Sequence, residues 1–207
     1  MRIIAGKYRR RKLQTNPGLT TRPITDRVKE ALFENIHQRV DGKRVADIFA
    51  GTGTIGLEAL SRGATSVTFI EKDRKALQLL KENVATLDCK EDVLVWPADV
   101  LRCSYRPKGD RIADFVPWEV VFFDPPYQMV RDIIPGKPLW TSLKRLAKEE
   151  STAENATLIL RVPKRAEFEL PEEWAVNWSM TMSGMTIHIC EKMSGTAAET
   201  EPPSETP

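Results

Sequence analysis

The feature that most restricts the fold lies between Arg44 and Glu71. Arg44–Ala50 (Arg-Val-Ala-Asp-Ile-Phe-Ala) reads as the first core strand. It enters Gly51-Thr52-Gly53-Thr54-Ile55-Gly56, continues as a helical stretch from Leu57 to Arg62, and stops at Gly63. A second strand, Ser66–Ile70, then ends in Glu71, twenty positions after Gly51. This is G-x-G-x-x-G with a strand before it and a helix after it, the context in which the pattern carries meaning. The glycines allow a tight turn and a close backbone approach, and an acid at that spacing accepts hydrogen bonds from ribose hydroxyls. The unit points to a nucleoside-containing cofactor; a plain strand-to-helix turn would not need Glu71 at that distance.

A second constraint is Val120-Val121-Phe122-Phe123-Asp124-Pro125-Pro126-Tyr127. Four consecutive apolar residues read as a strand buried on both faces. Two prolines cannot continue its ladder and each fixes φ. An acid and an aromatic are thereby set at the carboxyl end of a central strand, where open α/β sheets bind ligands.

The intervals fit the same architecture. Thr25 caps a helix with Asp26 in its first turn, and Val28, Leu32, Ile36 and Val40 share one face. Asp73 opens another helix through Leu87. Val93–Trp96 is a third strand, delivering Asp99 to the cofactor side, where it either accepts from an exocyclic amine or merely caps a helix. Tyr105–Trp118 reads as an irregular loop, and Gln128–Pro138, with Pro135, Gly136 and Pro138, as a mobile flap beside the site. Leu139–Glu150 is a helix and Ala156–Val162 a fifth strand. Trp174–Thr181 and Thr186–Cys190 alternate around Ser183-Gly184-Met185 as a terminal hairpin, with Trp174 and Trp178 packing the sheet. The order gives a mostly parallel sheet covered by helices.

Charge is informative only in its distribution. The 207-residue chain has a net charge of +2, yet residues 1–30 hold nine Lys/Arg against two acids. Arg9-Arg10-Arg11-Lys12 is the densest cluster, within a segment that reads as a short hairpin. Such a run pairs with phosphates, though a solvated edge strand kept apart by charge would look the same. Three segments are expected: a basic hairpin and loop over 1–24, a main domain over 25–193, and a disordered acidic tail over 194–207. Cys89, Cys103 and Cys190 are odd in number and widely spaced. With His37 and His188 far apart, this suggests neither disulfides nor a metal site and suits a reducing cytoplasm. No apolar run reaches membrane-spanning length.

NAD and S-adenosyl-L-methionine both fit a glycine loop and an acid; the Asp-Pro-Pro-Tyr element separates them. An aromatic amine is a poor nucleophile because its lone pair is shared with the ring. Two acceptors on its N–H bonds, the Asp124 carboxylate and the Pro125 carbonyl, would hold it near tetrahedral geometry and stabilise its developing charge. Pro126 would stiffen the loop and Tyr127 would stack on the base.

Asp124-Pro125-Pro126-Tyr127 resembles the (Asn/Asp/Ser)-Pro-Pro-(Tyr/Phe) motif of S-adenosylmethionine-dependent amino-methyltransferases. Over roughly residues 1–192 the chain resembles the RsmD family, through Arg2–Gly6, Arg11–Leu13, Thr21–Phe33, Asp47–Ala64, Glu71–Arg74 and the Asp-Pro-Pro-Tyr element. The resemblance implies a Rossmann-like class I methyltransferase with a mostly parallel seven-stranded sheet, an antiparallel C-terminal hairpin and a small basic N-terminal hairpin. It implies methylation of a guanine N2 amine in 16S ribosomal RNA, within a small subunit or its assembly intermediate, by a monomer. Asp47, Phe49, Gly51, Thr52, Gly53, Glu71, Lys72, Asp99 and Val100 would line the S-adenosyl-L-methionine site, and Asp124–Tyr127 the target site. Arg9, Arg10, Arg11, Lys12, Arg22 and Arg27 would hold RNA. The chain departs from the family after the fifth strand, where members often have a Glu and this chain has Arg161-Val162-Pro163-Lys164, and at the hairpin turn, where Ser183-Gly184 replaces Tyr-Gly. The alternatives are another RNA amine or DNA adenine N6 as target, a non-catalytic RNA-binding protein on this fold, and an NAD-dependent oxidoreductase.

Overall fold

A computed structural model describes residues 1–15 and 24–193; Arg22 and the tail 194–207 lie outside the described residues. Four helices, α1 (Asp26–Val40), α2 (Thr54–Ser61), α3 (Arg74–Leu87) and α4 (Pro138–Leu146), accompany seven strands. The strands are β1 (Arg44–Ile48), β2 (Ser66–Glu71), β3 (Val93–Pro97), β4 (Trp118–Phe123), β5 (Thr152–Pro163), β6 (Trp174–Met182) and β7 (Met185–Lys192). They form one sheet in the order β3-β2-β1-β4-β5-β7-β6. The first five strands of that order pair in parallel; β7 runs antiparallel to β5 and to β6. The direction of winding reverses between β1 and β4, the point where such sheets open a crevice at their carboxyl ends.

Period-two alternation splits the core between the two faces of the sheet. Val45, Val67, Phe69, Val120 and Phe122 pack with the apolar faces of α1, α2 and α3. Ala46, Ile48, Ile70, Val121 and Phe123 pack on the other side with Leu139, Leu143 and Leu146 of α4. Helix starts follow their caps: the Thr25 hydroxyl accepts from the Val28 N–H, and the Asp73 carboxylate from the Ala76 N–H.

Residues 1–15 are not a pair of strands. One antiparallel bridge joins Arg2 to Lys12, with the Ile3 N–H donating to the Arg11 carbonyl and the Arg10 N–H to that of Ile3. The segment is fixed by side chains rather than by a ladder. Ile3, Tyr8 and Leu13 enter the same core as α1 and α2. The Glu58 carboxylate of α2 accepts the N–H groups of Ile4 and Ala5 at 2.8 and 3.1 Å, and pairs with Lys29 at 3.1 Å where both side chains are fully buried. Asn83 of α3 closes the far end, exchanging two hydrogen bonds with the Gln14 backbone and donating a third to the Thr52 carbonyl.

Three expectations are corrected. The stretch after Tyr127 is a packed 3-10 turn, Tyr127–Asp132, rather than a flap. Val130 and Ile133 are buried beside α4, and the Ile133 carbonyl accepts the Glu169 N–H at 2.7 Å. The helix after it ends at Leu146, and the fifth strand starts at Thr152. Trp174 does pack, its indole N–H donating to the Leu143 carbonyl, but Trp178 is 40% exposed on edge strand β6.

Candidate active site

The carboxyl ends of β1, β2, β3 and β4 open onto one cavity of about 270 Å³. Phe49, Gly51, Thr52, Glu71, Lys72, Asp99, Val100 and Asp124 line it, as do Pro126, Gln128, Met129 and Arg161. Of the cofactor residues expected, Asp47 also lines it; Gly53 does not. Gly53 instead serves the turn. It precedes α2 with φ +80°, and a Cβ there would lie 2.4 Å from a Leu80 methyl.

The acids are held by backbone donors. Asp47, 1% exposed on the α2 side of β1, accepts the Gly56 N–H at 2.8 Å in the first turn of α2. Burial pushes its carboxyl well above the ordinary carboxylate range, against the opposing pull of that bond. Its carboxylate is thus engaged in closing the glycine turn. Glu71 accepts the Gly51 N–H through one oxygen and the N–H groups of Lys72 and Asp73 through the other, each at 2.8 Å. A carboxylate offers about four lone-pair sites, so roughly one stays open toward the cavity. Asp99 accepts the Leu101 N–H and pairs with Lys72 at 3.3 Å, which places Lys72 as its partner. Phe49 supplies an apolar wall in the left-handed region, φ +65°, held by its N–H to the Ile70 carbonyl and by an edge-on contact with Phe123.

Asp124 is where the structure adds most. Its backbone N–H still reaches the Ile48 carbonyl of β1 at 3.3 Å, so the strand end carries the residue to the mouth of the cavity. Both carboxylate oxygens accept from Arg161: Nε to Oδ1 at 2.6 Å, Nη2 to Oδ2 at 2.5 Å. The side chains are only 14% and 7% exposed. Burial raises the Asp124 carboxyl and Arg161 opposes it; for Arg161 itself, burial is outweighed by the Asp124 charge and its pKa is raised. Pro126 lines the cavity while Pro125 is buried, and the Tyr127 ring packs against the core with the Arg161 guanidinium 5.9 Å from its centroid. Arg161 carries no assigned role in the sequence reading, although a charge inside Leu158-Ile159-Leu160-Arg161-Val162 signals a buried partner.

Arg9, Arg10, Lys12 and Arg27 are exposed, and Arg11 is exposed with its guanidinium donating to the Thr86 carbonyl near the end of α3. Among the described residues, no group of His, Cys, Asp and Glu is gathered as for a metal ion, and no helix is long and apolar enough to cross a membrane.

The family model described as conserved hypothetical protein 95 matches residues 1–190. The Haemophilus influenzae protein named ribosomal RNA small subunit methyltransferase D is 32% identical over 176 residues, 85% of this chain and 86% of that protein. The chain belongs to the RsmD family. The Escherichia coli K12 protein of the same name is 41% identical over 130 residues, 62% of this chain and 61% of its own length. The RsmD fold is also that of the solved Escherichia coli methyltransferase yhhF, with a TM-score of 0.74, 30% identity, and 94% of this chain and 98% of that one covered. An RNA methyltransferase from Salinibacter ruber, solved with S-adenosyl-L-homocysteine, shares the fold alone: its TM-score is 0.61 at 14% identity, over 86% of this chain and 98% of its own.

Proposed function

We propose that this chain transfers the methyl group of S-adenosyl-L-methionine to the exocyclic N2 amine of a guanine in small-subunit (16S) ribosomal RNA. The observation that carries the reading is the place of Asp124 and Pro126 on the cavity walled by the glycine turn and Glu71, in a chain of this family. The lining fits the cofactor. Glu71 is oriented by three backbone donors with room for a ribose hydroxyl. Phe49, Ile70, Ala98 and Val100 offer apolar surface for an adenine ring, with Asp99 at its rim. S-adenosyl-L-methionine supplies an electrophilic methyl when bound there. The chain supplies orientation and charge: Asp124 and the Pro125 carbonyl accept the amine N–H bonds, and Asp124 offsets the positive charge that grows on nitrogen. Asp124 acts here as a hydrogen-bond acceptor rather than as the base that removes a proton: as the N–C bond forms the S–C bond breaks, S-adenosyl-L-homocysteine leaves, and the proton of the methylated nitrogen passes to water. Tyr127, whose ring packs on the core beneath Arg161 and does not line the cavity, would have to turn outward to stack on the base; Arg9, Arg10, Lys12 and Arg27 are assigned the phosphates. Action as a monomer on an assembling or assembled small subunit, in the cytoplasm, belongs to the same proposal.

The test is incorporation of labelled methyl into small-subunit RNA. Asp124→Ala is expected to lower kcat by about 10²–10³-fold with the Kd for S-adenosyl-L-methionine nearly unchanged. A near-native rate in Asp124→Ala would remove Asp124 from the reaction. Label appearing in DNA adenine or another RNA, and not in small-subunit RNA, would replace the substrate.

A further inference from the structure

Arg161 lies outside every sequence element assigned to chemistry, yet it meets both oxygens of the Asp124 carboxylate, at 2.6 and 2.5 Å. It projects from β5, next to β4 in the sheet, and it lines the same cavity. The guanidinium meets the carboxylate side-on, two N–H groups on two oxygens. This fork fixes the carboxylate plane as well as its position, which one point charge cannot do. Its own orientation is secured from behind, with Nη1 3.8 Å from the Met185 sulfur of β7 and the Tyr127 ring beneath. Two of roughly four carboxylate lone-pair sites are then taken, and those left point away from Arg161.

We propose that Arg161 is a positioning residue for methyl transfer: it sets the plane of the Asp124 carboxylate so that one outward lone pair meets the target amine. The proposal rests on the reading of Asp124 as the amine's acceptor. Arg161 also maintains the charge on which that role depends. Asp124 of β4 is buried; Arg161 of β5 is the cation that opposes that burial and also acts on Asp47 of β1, while Tyr127 of the 3-10 turn flanks the pair. Without Arg161, burial acts unopposed to protonate Asp124. A protonated carboxyl would accept the amine more weakly and would no longer offset the positive charge on nitrogen. Arg161 itself is cationic and would repel that charge; the paired Asp124 stands between them and neutralises it.

Three variants separate orientation from charge. Arg161→Gln removes the charge and the fork, Arg161→Lys keeps the charge and loses the fork, and Arg161→Met is a packing control. Two readouts are needed: kcat and KM across pH with small-subunit RNA, and the pH titration of the Asp124 carboxyl carbon by ¹³C NMR of aspartate-labelled protein. In Arg161→Gln the Asp124 titration is expected to move to higher pH, the acid limb of kcat to move with it, and kcat at neutral pH to fall about 10²-fold, recovering in part at alkaline pH. Arg161→Lys should titrate close to wild type while still losing about tenfold in kcat, and Arg161→Met, which loses charge and fork alike while filling the space, should behave as Arg161→Gln does. A folded Arg161→Gln with native kcat and native Asp124 titration overturns the proposal. If Arg161→Gln does not fold, Arg161→Lys with native kcat overturns it. If the wild-type protein methylates no RNA, the reaction reading fails, whereas the NMR titration still decides whether Arg161 governs Asp124.

Discussion

Asp47 shows how a single residue is given its place by pleat and packing. The alternation along β1 sends Val45 and Asp47 to the α2 side, where the Gly56 N–H waits at the first turn of α2. A Cβ on residue 56 would stand 3.0 Å from the Asp47 Oδ2 and 2.4 Å from the Phe69 ring, so the helix can approach the strand only as glycine. Asp47→Ala would leave that N–H buried and unmatched, a loss of about 1–3 kcal/mol in urea unfolding. Asp47→Asn keeps an acceptor oxygen and removes a buried charge, so it should be no less stable than wild type at neutral pH. The pH dependence has a definite sign. Burial holds the folded Asp47 pKa above its unfolded value, so folding takes up a proton between the two. Stability from this group is fully present below the ordinary carboxylate pKa and is lost as pH rises toward the raised value. The stability of Asp47→Asn relative to wild type should therefore grow with pH from the ordinary carboxylate range upward. A difference independent of pH would mean that Asp47 is not destabilised by burial.

At the scale of elements, legibility followed continuity of pattern. Strands β1, β2 and β4 are buried along most of their length and read as mainly apolar segments, interrupted in β1 by Asp47, and all three fall within two residues of where their sequences place them. The glycine turn was legible because its residue types answer a backbone demand. What was not legible depends on partners distant in sequence. Gln128–Pro138 looked like a flap because Pro135, Gly136 and Pro138 outweighed Val130 and Ile133, whose burial needs α4 and Glu169. Trp178 alternates as a packed residue would, but β6 is the sheet edge and one face stays open. Nothing local to α2 or α3 marks Glu58 or Asn83 for burial; each is buried because the N-terminal segment lies over it. Asn83 is the clearest link between elements, since one amide group meets both Gln14 and the glycine turn at Thr52. Asn83→Ala should loosen both ends: faster trypsin cleavage at residues 9–12, and several-fold weaker S-adenosyl-L-methionine binding by calorimetry, for a loss of about 1–3 kcal/mol. Loosening of one end alone would show that Asn83 does not join them.

Across the whole molecule, the balance of charge is less informative than where the positive charge is fixed. A net charge of +2 predicts little about a polyanionic partner. The positive cluster, however, is carried on a segment pinned by Glu58, Ser61 and Asn83. Met1 and Thr15 of that segment also line the cavity that holds Asp124 and Glu71. A phosphate backbone held by Arg9, Arg10 and Lys12 would then be bound at a set position relative to the site, with little ordering cost left for the arm. Arg11 is already engaged with the Thr86 carbonyl, so Arg9 and Lys12 are the cleaner test. Each phosphate contact removed should lower the slope of log K against log salt by about 0.7–0.9. Arg9→Glu with Lys12→Glu is therefore expected to weaken binding of small-subunit RNA and to reduce that slope by about 1.5, in fluorescence anisotropy across a salt series. S-adenosyl-L-methionine affinity should stay near native, because neither residue lines the cavity. An unchanged salt slope would take the arm off the RNA contact surface and return its charges to the role of keeping an exposed edge soluble.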